Sequence, residues 1–475
     1  MAGGTDDPKK HIKIPIRSSI SHLVGEKDRK ALEMLVSAAK LINPIYGEQM
    51  NQNFTATNGV FDKSQKPYYY PDDLSAEELE QYIEAHPEHK EEMLNPFSVV
   101  RRNGNALTTV PYSEIHRKEL TKIRDLMEGA SAFIEHRQMK KFLKSRSDAF
   151  ASNDYKESEI DWIHVVDAPI ELTIGPYESY GDNIMGVKRD FFSILGLTLD
   201  NENKKVSRYQ DLALEFDAYL GKKYGYSPSG KITPMVVMDE IFAAGFYYYS
   251  FVPMAYNLPN DADILKSVGS KKVFVKNIMD ARFNFLLRPI AERILKKEMM
   301  RTFDPWLYFL STIGHELSHG LEFNFSGSDF KELGSPLEEA KADIFGMLFL
   351  YFLSEKGLLD KEVPDSIAVI HAIDGLRTLR FDLEEAHAVG SLIQYQWLKQ
   401  ERVIGFDGTT LTFKHAPLKN ALDSLGHEFF KLSQVRNYTT TRQFTDKWGN
   451  VLNELKPIIA CLADIPIDID PIFDW

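Results

Sequence analysis

Apolar and polar positions along this chain recur with two different periods. Between about residues 27 and 45, Leu32, Leu35, Ala38, Ala39, Leu41 and Ile42 fall every three to four positions, which lines one face of a helix. Residues 66–110 are irregular. They hold Pro67, the cluster Tyr68-Tyr69-Tyr70 and an acidic helix predicted from Ser75 to about Glu84. Two amphipathic helices are predicted over 113–150, the second carrying Lys140, Lys141, Lys144 and Arg146 on a solvated face. Near residue 160 the period shortens. Ile160 to Val166 and Ile170 to Ile174 read as strands with a turn at Ala168-Pro169. Residues 233–256 read as further strands or a buried helix, and Lys271 to Val275 as a short strand. From about 276 to 435 the helical period dominates. The Pro- and Asp-rich tail after Pro457 is expected to lie across the surface.

These elements predict an α+β protein, predominantly helical, in two lobes: one with a small sheet, the other helical. At 475 residues the chain is too long for one small core. The expected division is an N-terminal tail over 1–25, a mixed α/β lobe over 26–195 plus about 233–275, a helical lobe over about 196–232 plus 276–435, and a C-terminal segment over 436–475. A hydrophobic fraction of 43% with 26% charged residues excludes a disordered chain. The net charge of −13 argues against a nucleic-acid partner. The single cysteine, Cys461, permits neither an intrachain disulfide nor a thiolate metal site, and points to a reducing, cytoplasmic setting. The first ten residues are polar and hold no signal-peptide core. The longest apolar candidate, Ile241 to Tyr256, is interrupted by Ser250 and Pro253, so no membrane partner is expected. Sequons at Asn53, Asn324 and Asn437 carry no weight without a secretory signal. A monomer is expected.

The chemistry concentrates at His315-Glu316-Leu317-Ser318-His319. Histidines four apart share a helix face, so both imidazoles can reach one metal ion, with Glu316 beside it to take a proton from water. Roughly one chain in thirty of this composition would show the pattern by accident, so its surroundings decide. Leu307, Leu310, Ile313 and Leu317 give the segment a helical stripe, and Gly314 and Gly320 leave room for close approach. Downstream, Gly334, Ser335 and Pro336 start a second helical run that reaches about Leu353. Glu339 in its first turn can be the third ligand of a site that keeps one position open. Asp343 lies one turn on, where it can hold the far nitrogen of a ligating histidine. An acidic helix start explains Glu338 and Glu339, but not an acid at Asp343 beside the apolar run Ile344 to Phe349. The reading is one Zn2+ on His315, His319 and Glu339.

With these motifs in place the chain resembles the dipeptidyl peptidase III family, in particular its shorter bacterial-type members, from roughly residue 30 to 435. The matching stretches are Pro96 to Arg102, Ile174 to Tyr180, Tyr256 to Asp261, Gly269 to Val273, the two metal-site helices and Arg380 to His387. The resemblance implies two lobes with a wide cleft, a helical zinc lobe, a lobe containing a small β-barrel or sheet, and removal of N-terminal dipeptides from short peptides. It implies Glu316 and His387 as catalytic residues, Glu338 and Asp343 behind the ligands, and Glu171, Asn257, Asn260 and Tyr177 as substrate-binding residues. His387 would stabilise the tetrahedral intermediate, and Glu171, Asn257 and Asn260 would hold the peptide's N-terminal end. Three departures stand out. The classical members place one more residue between the histidines, carry a long insertion between His319 and Glu339, and have a catalytic tyrosine where this chain has Thr173. Tyr177 or Tyr180 could take that tyrosine's place. The leading expectation is a zinc exopeptidase acting on short peptides. Two alternatives stay open: a zinc hydrolase of a non-peptide metabolite, and a catalytically weak peptide-binding protein.

Overall fold

The computed structural model describes residues 11–52, 67–104, 106–228, 233–250, 252–327, 329–380 and 386–475. The expected tail residues 1–10, the sequon at Asn53 and the stretch 381–385 lie outside the described residues. Two compact units divide the chain. One comprises Met1–Ile14, Lys205–Ile232 and Met279–Pro471; the other comprises Pro15–Lys204, Thr233–Ile278 and Ile472–Trp475.

The second unit is built on a mixed sheet of five strands. Ile170–Glu178 pairs antiparallel with Asp190–Thr198, which pairs antiparallel with Met235–Gly245. Lys271–Val275 runs parallel to Met235–Gly245, and Ala255–Leu258 closes the far edge antiparallel to it. The sheet is open, not a barrel: the strands at its two ends do not pair with each other. Every residue of Ile170–Glu178 and of Asp190–Thr198 is buried. This explains why these strands show little polar alternation, since a strand covered on both faces has no solvent side. The helices Glu26–Lys40 and Ile42–Gln49 pack on the sheet, and Arg117–Ser131 and Arg137–Ser152 extend the helical layer.

One expected strand is a helix. Residues Lys156–Ile163 are helical, with Glu157 and Glu159 in the first turn and Trp162 fully buried. The segment's acids and aromatics mimic period-two alternation over a few residues. The acids at its start favour a helix N-terminus, and packing on Arg137–Ser152 settles the matter.

The first unit is helical. Its core is formed by Pro305–Ser318, Gly334–Glu355, Val363–Thr378, Ala386–Gln400 and Leu418–Val435, with a small hairpin of Ile404–Asp407 and Thr410–Phe413. The tail does not simply cross the surface. Leu455–Cys461 forms a helix with Leu455 and Ile458 buried, and Asp468–Phe473 is a strand. Among the described residues no helix is long and apolar enough to cross a membrane.

Candidate metal centre

Two helices of the first unit present the motif residues. Pro305–Ser318 starts on an Asp304 cap, whose carboxylate accepts the Trp306 backbone N–H at 2.8 Å, with Pro305 in the first position. Gly334–Glu355 is buried along most of its length. The two cross backbone to backbone. A Cβ on Gly346 would lie 2.7 Å from the His315 nitrogen and 2.8 Å from the Gly314 carbonyl carbon, and one on Gly314 would lie 3.0 Å from the Gly346 oxygen. No side chain can separate the helices here, so His315 is held directly over the acidic one.

The candidate ligand atoms lie close together. His315 Nε2 and His319 Nε2 are 3.0 Å apart, and Glu339 Oε2 lies 3.3 and 3.6 Å from them. Ligands about 2.0–2.1 Å from a tetrahedral zinc stand roughly 3.3 Å from one another. Each far nitrogen faces a carboxylate: His315 Nδ1 is 2.7 Å from Asp343, and His319 Nδ1 is 3.1 Å from Glu338. Those carboxylates accept Nδ1–H, which leaves lone pairs on both Nε2 atoms. Glu339 Oε2 is buried, and among the described residues only imidazole nitrogens face it. Three electron-rich atoms around one point call for a positive centre, and the donor set fits a metal ion. Glu316 also brings an oxygen within 4.8 Å of ligand atoms on both histidines.

The surroundings fix charge and orientation. Glu338 accepts from Lys341 at 2.6 Å and from the Phe325 N–H at 3.1 Å. Lys341 is fully buried and also donates to the Phe323 carbonyl. Burial pushes the Glu338 carboxyl upward, but His319 and Lys341 overcome it and hold it at about 2. Asp343 is likewise held at about 2 against burial by His371, His315 and Gln394. Gln394 donates to Asp343 Oδ2 at 2.8 Å and takes the His371 Nε2–H at 2.7 Å. Glu339 lies well below the carboxylate range, its burial outweighed by His315 and His319. Burial works downward on His315, yet Asp343 and Glu339 raise it well above the usual imidazole value. His387 is about half exposed, with Nδ1 3.4 Å from Glu339 Oε2. Glu384 and Glu385, just before it in sequence, lie outside the described residues.

Lys341, Gln394 and His371 were not singled out from sequence. A lysine between Glu338 and the apolar run was a usable signal, because a buried cation needs a carboxylate. Gln394 and His371 gave none.

The residues expected to bind substrate belong to the sheet unit. Asn260 Nδ2 donates to the Tyr177 carbonyl at 3.3 Å and to Glu178 at 3.2 Å, so Tyr177 and Asn260 meet. Asn257 is exposed on the edge strand, opposite Lys272. Glu171 stands apart, and both of its oxygens lie 2.9 Å from Lys271 Nζ, with Trp162 Nε1 donating as well. The cation that Glu171 holds is therefore Lys271. Thr173 is buried against the Tyr256 hydroxyl at 2.9 Å. The Tyr177 hydroxyl is buried beside the Arg146 guanidinium, and Tyr180 is exposed.

The sequence model of peptidase family M49 matches residues 88–321. The structure of DPP III from Caldithrix abyssi is 29% identical and superposes with a TM-score of 0.92, covering 98% of each chain. Over its whole length the chain has the fold of the dipeptidyl peptidase III family. A second structure within that family, dipeptidyl-peptidase III from Corallococcus sp. strain EGB, is 25% identical with a TM-score of 0.81, covering 98% of this chain and 96% of that one. Among curated relatives, Nudix hydrolase 3 of Arabidopsis thaliana is 30% identical over 480 residues, 93% of this chain. Dipeptidyl peptidase 3 of Dictyostelium discoideum is 24% identical over 270 residues, 48% of this chain. The chain spans 61% and 38% of the lengths of these two proteins.

Proposed function

We propose that this protein is a zinc-dependent exopeptidase that hydrolyses short peptides near the N-terminus and releases dipeptides. The observation that carries the reading is the convergence of His315 Nε2, His319 Nε2 and Glu339 Oε2, each far nitrogen being oriented by its own carboxylate. Likeness to that family supplies the substrate class. These three residues would hold the ion, which when bound polarises a carbonyl and lowers the pKa of water to about 7.

Every other step falls to side chains. Glu316 takes the proton from the attacking water and delivers it to the leaving amine. His387, half exposed beside Glu339, donates to the oxyanion that develops at the scissile carbonyl. Asp343 and Glu338 keep both imidazoles in the tautomer that directs a lone pair at the ion. Asn257, Asn260 and Tyr177 contribute to holding the peptide. Metal analysis of the purified protein, paired with mass-spectrometric identification of products from a peptide mixture, tests the proposal. Stoichiometric zinc and dipeptides cut from free N-termini are expected. Products that ignore N-terminal blocking would exclude the exopeptidase reading, and full turnover after complete metal removal would exclude the zinc reading.

A further inference from the structure

The sheet unit contains a pocket of about 310 Å³. Phe97, Tyr155 and Tyr177 contribute to its wall, the first two rings packing at 4.6 Å between centroids. Glu159 lines it. That residue is 6% exposed, and among the described residues its carboxylate makes no hydrogen bond or ion pair. A carboxylate withdrawn from bulk water without a partner is unfavourable unless something compensates its charge. Compensation comes at a distance from Arg146 and, more weakly, from Arg189 in the pocket lining, with Asp261 opposing it. Arg146 is wholly buried beside the Tyr177 hydroxyl, and its guanidinium packs 5.3 Å from the Tyr155 ring and 5.1 Å from the Tyr177 ring. Gly175 makes room for it, since a Cβ there would fall 2.7 Å from Nη1.

We infer that this pocket binds the free ammonium group of a small peptide or amino acid, with Glu159 as its acceptor. An aromatic wall and one buried anion suit an organic cation, through hydrogen bonds to the carboxylate and attraction to the ring faces. A hard metal ion would need several convergent carboxylates, and of the described ones lining the pocket Asp154 and Asp261 already accept backbone N–H groups, which leaves Glu159 alone. The floor is firm: the Tyr177 carbonyl is held by Arg189 Nη1 at 3.0 Å and by Asn260 Nδ2 at 3.3 Å. Burial pushes the Glu159 carboxyl up to about 7, with Arg146 opposing, and a bound ammonium would restore the charged form. Glu171 cannot serve the same purpose, because Lys271 already occupies both of its oxygens.

That the ligand is a peptide rests on the peptidase reading above. The test therefore separates binding from turnover by using zinc-loaded Glu316→Gln protein and calorimetry with alanyl-alanine and its N-acetyl form. The free amine is expected to bind roughly tenfold or more tightly than the blocked compound. Adding Glu159→Gln should remove that advantage and leave the blocked compound unchanged. Equal affinity for the two compounds, no binding of either up to about 10 mM, or an amine preference that survives Glu159→Gln overturns the inference. The comparison on protein with Glu159 intact stands by itself if the double variant does not fold. Ammonium-dependent binding without hydrolysis by the parent protein would strike the peptidase reading alone, and the converse would strike only this one.

Discussion

Glu316 and Glu339 are the same side chain, and the proposed mechanism gives them two different tasks. Glu339 offers a buried oxygen to both imidazoles, whereas Glu316 sits beside the first ligand on the motif helix. Glu316→Gln should keep its zinc and lose about 10²- to 10⁴-fold in kcat, measured on metal-saturated protein. Glu339→Gln should instead fail at metal content. Undiminished turnover in the first variant sinks the mechanism. Behind the ligands, the chain from His371 through Gln394 to Asp343 locks the orientation of His315. Gln394→Leu should weaken zinc binding about 10- to 100-fold in a chelator competition, and an unchanged affinity would show that Asp343 needs no such support. These roles differ in how far the sequence discloses them. His315, His319, Glu339 and Asp343 are legible because helical periodicity fixes their relative positions. Gln394 and His371 lie 51 and 28 residues from Asp343 in sequence, and only tertiary packing brings them together.

At the scale of elements, the contact between the motif helix and the acidic helix depends on two glycines. Gly346→Ala should destabilise the protein by about 1–3 kcal/mol and lower zinc affinity as well, since its methyl group would enter the His315 backbone. Gly314→Ala, with its closest approach at 3.0 Å, should be milder in the same thermal unfolding experiment. A Gly346→Ala protein with unchanged Tm would mean the crossing is looser than its geometry indicates. Elements were readable where one periodicity ran for several turns, as in the helices Glu26–Lys40 and Gly334–Glu355. Lys156–Ile163 defeated the pattern because two turns of helix are too short to distinguish a period of 3.6 from one of two. The strand Lys271–Val275, bounded by Gly269 and Ser270, was short but clearly punctuated.

For the whole molecule, stability should depend on buried acids in the sheet unit. Burial pushes Glu240 up to about 8 and Asp190 up to about 7, the latter opposed by its Tyr69 hydrogen bond. In the unfolded chain such groups titrate near 4. Below about pH 4 they are protonated in both states. Between about 4 and 8 the unfolded chain releases protons that the folded one keeps, so their contribution falls as pH rises through the folded values. Lys188, pushed down to about 8 by burial, acts only above that window. Glu240→Gln should therefore gain thermal stability relative to the parent as pH climbs from 5 to 8, and a difference flat with pH would contradict this assignment. The division of the chain into two units has a consequence for how the protein is made. Apart from Ile472–Trp475, the sheet unit is complete in sequence at Ile278, before any metal ligand has left the ribosome. The 65 residues from there to Asp343 take roughly 3–13 s to synthesise at ~5–20 residues per second. The nascent chain can thus settle its sheet first, and it acquires its full set of metal ligands well before Gln394 arrives to steady them.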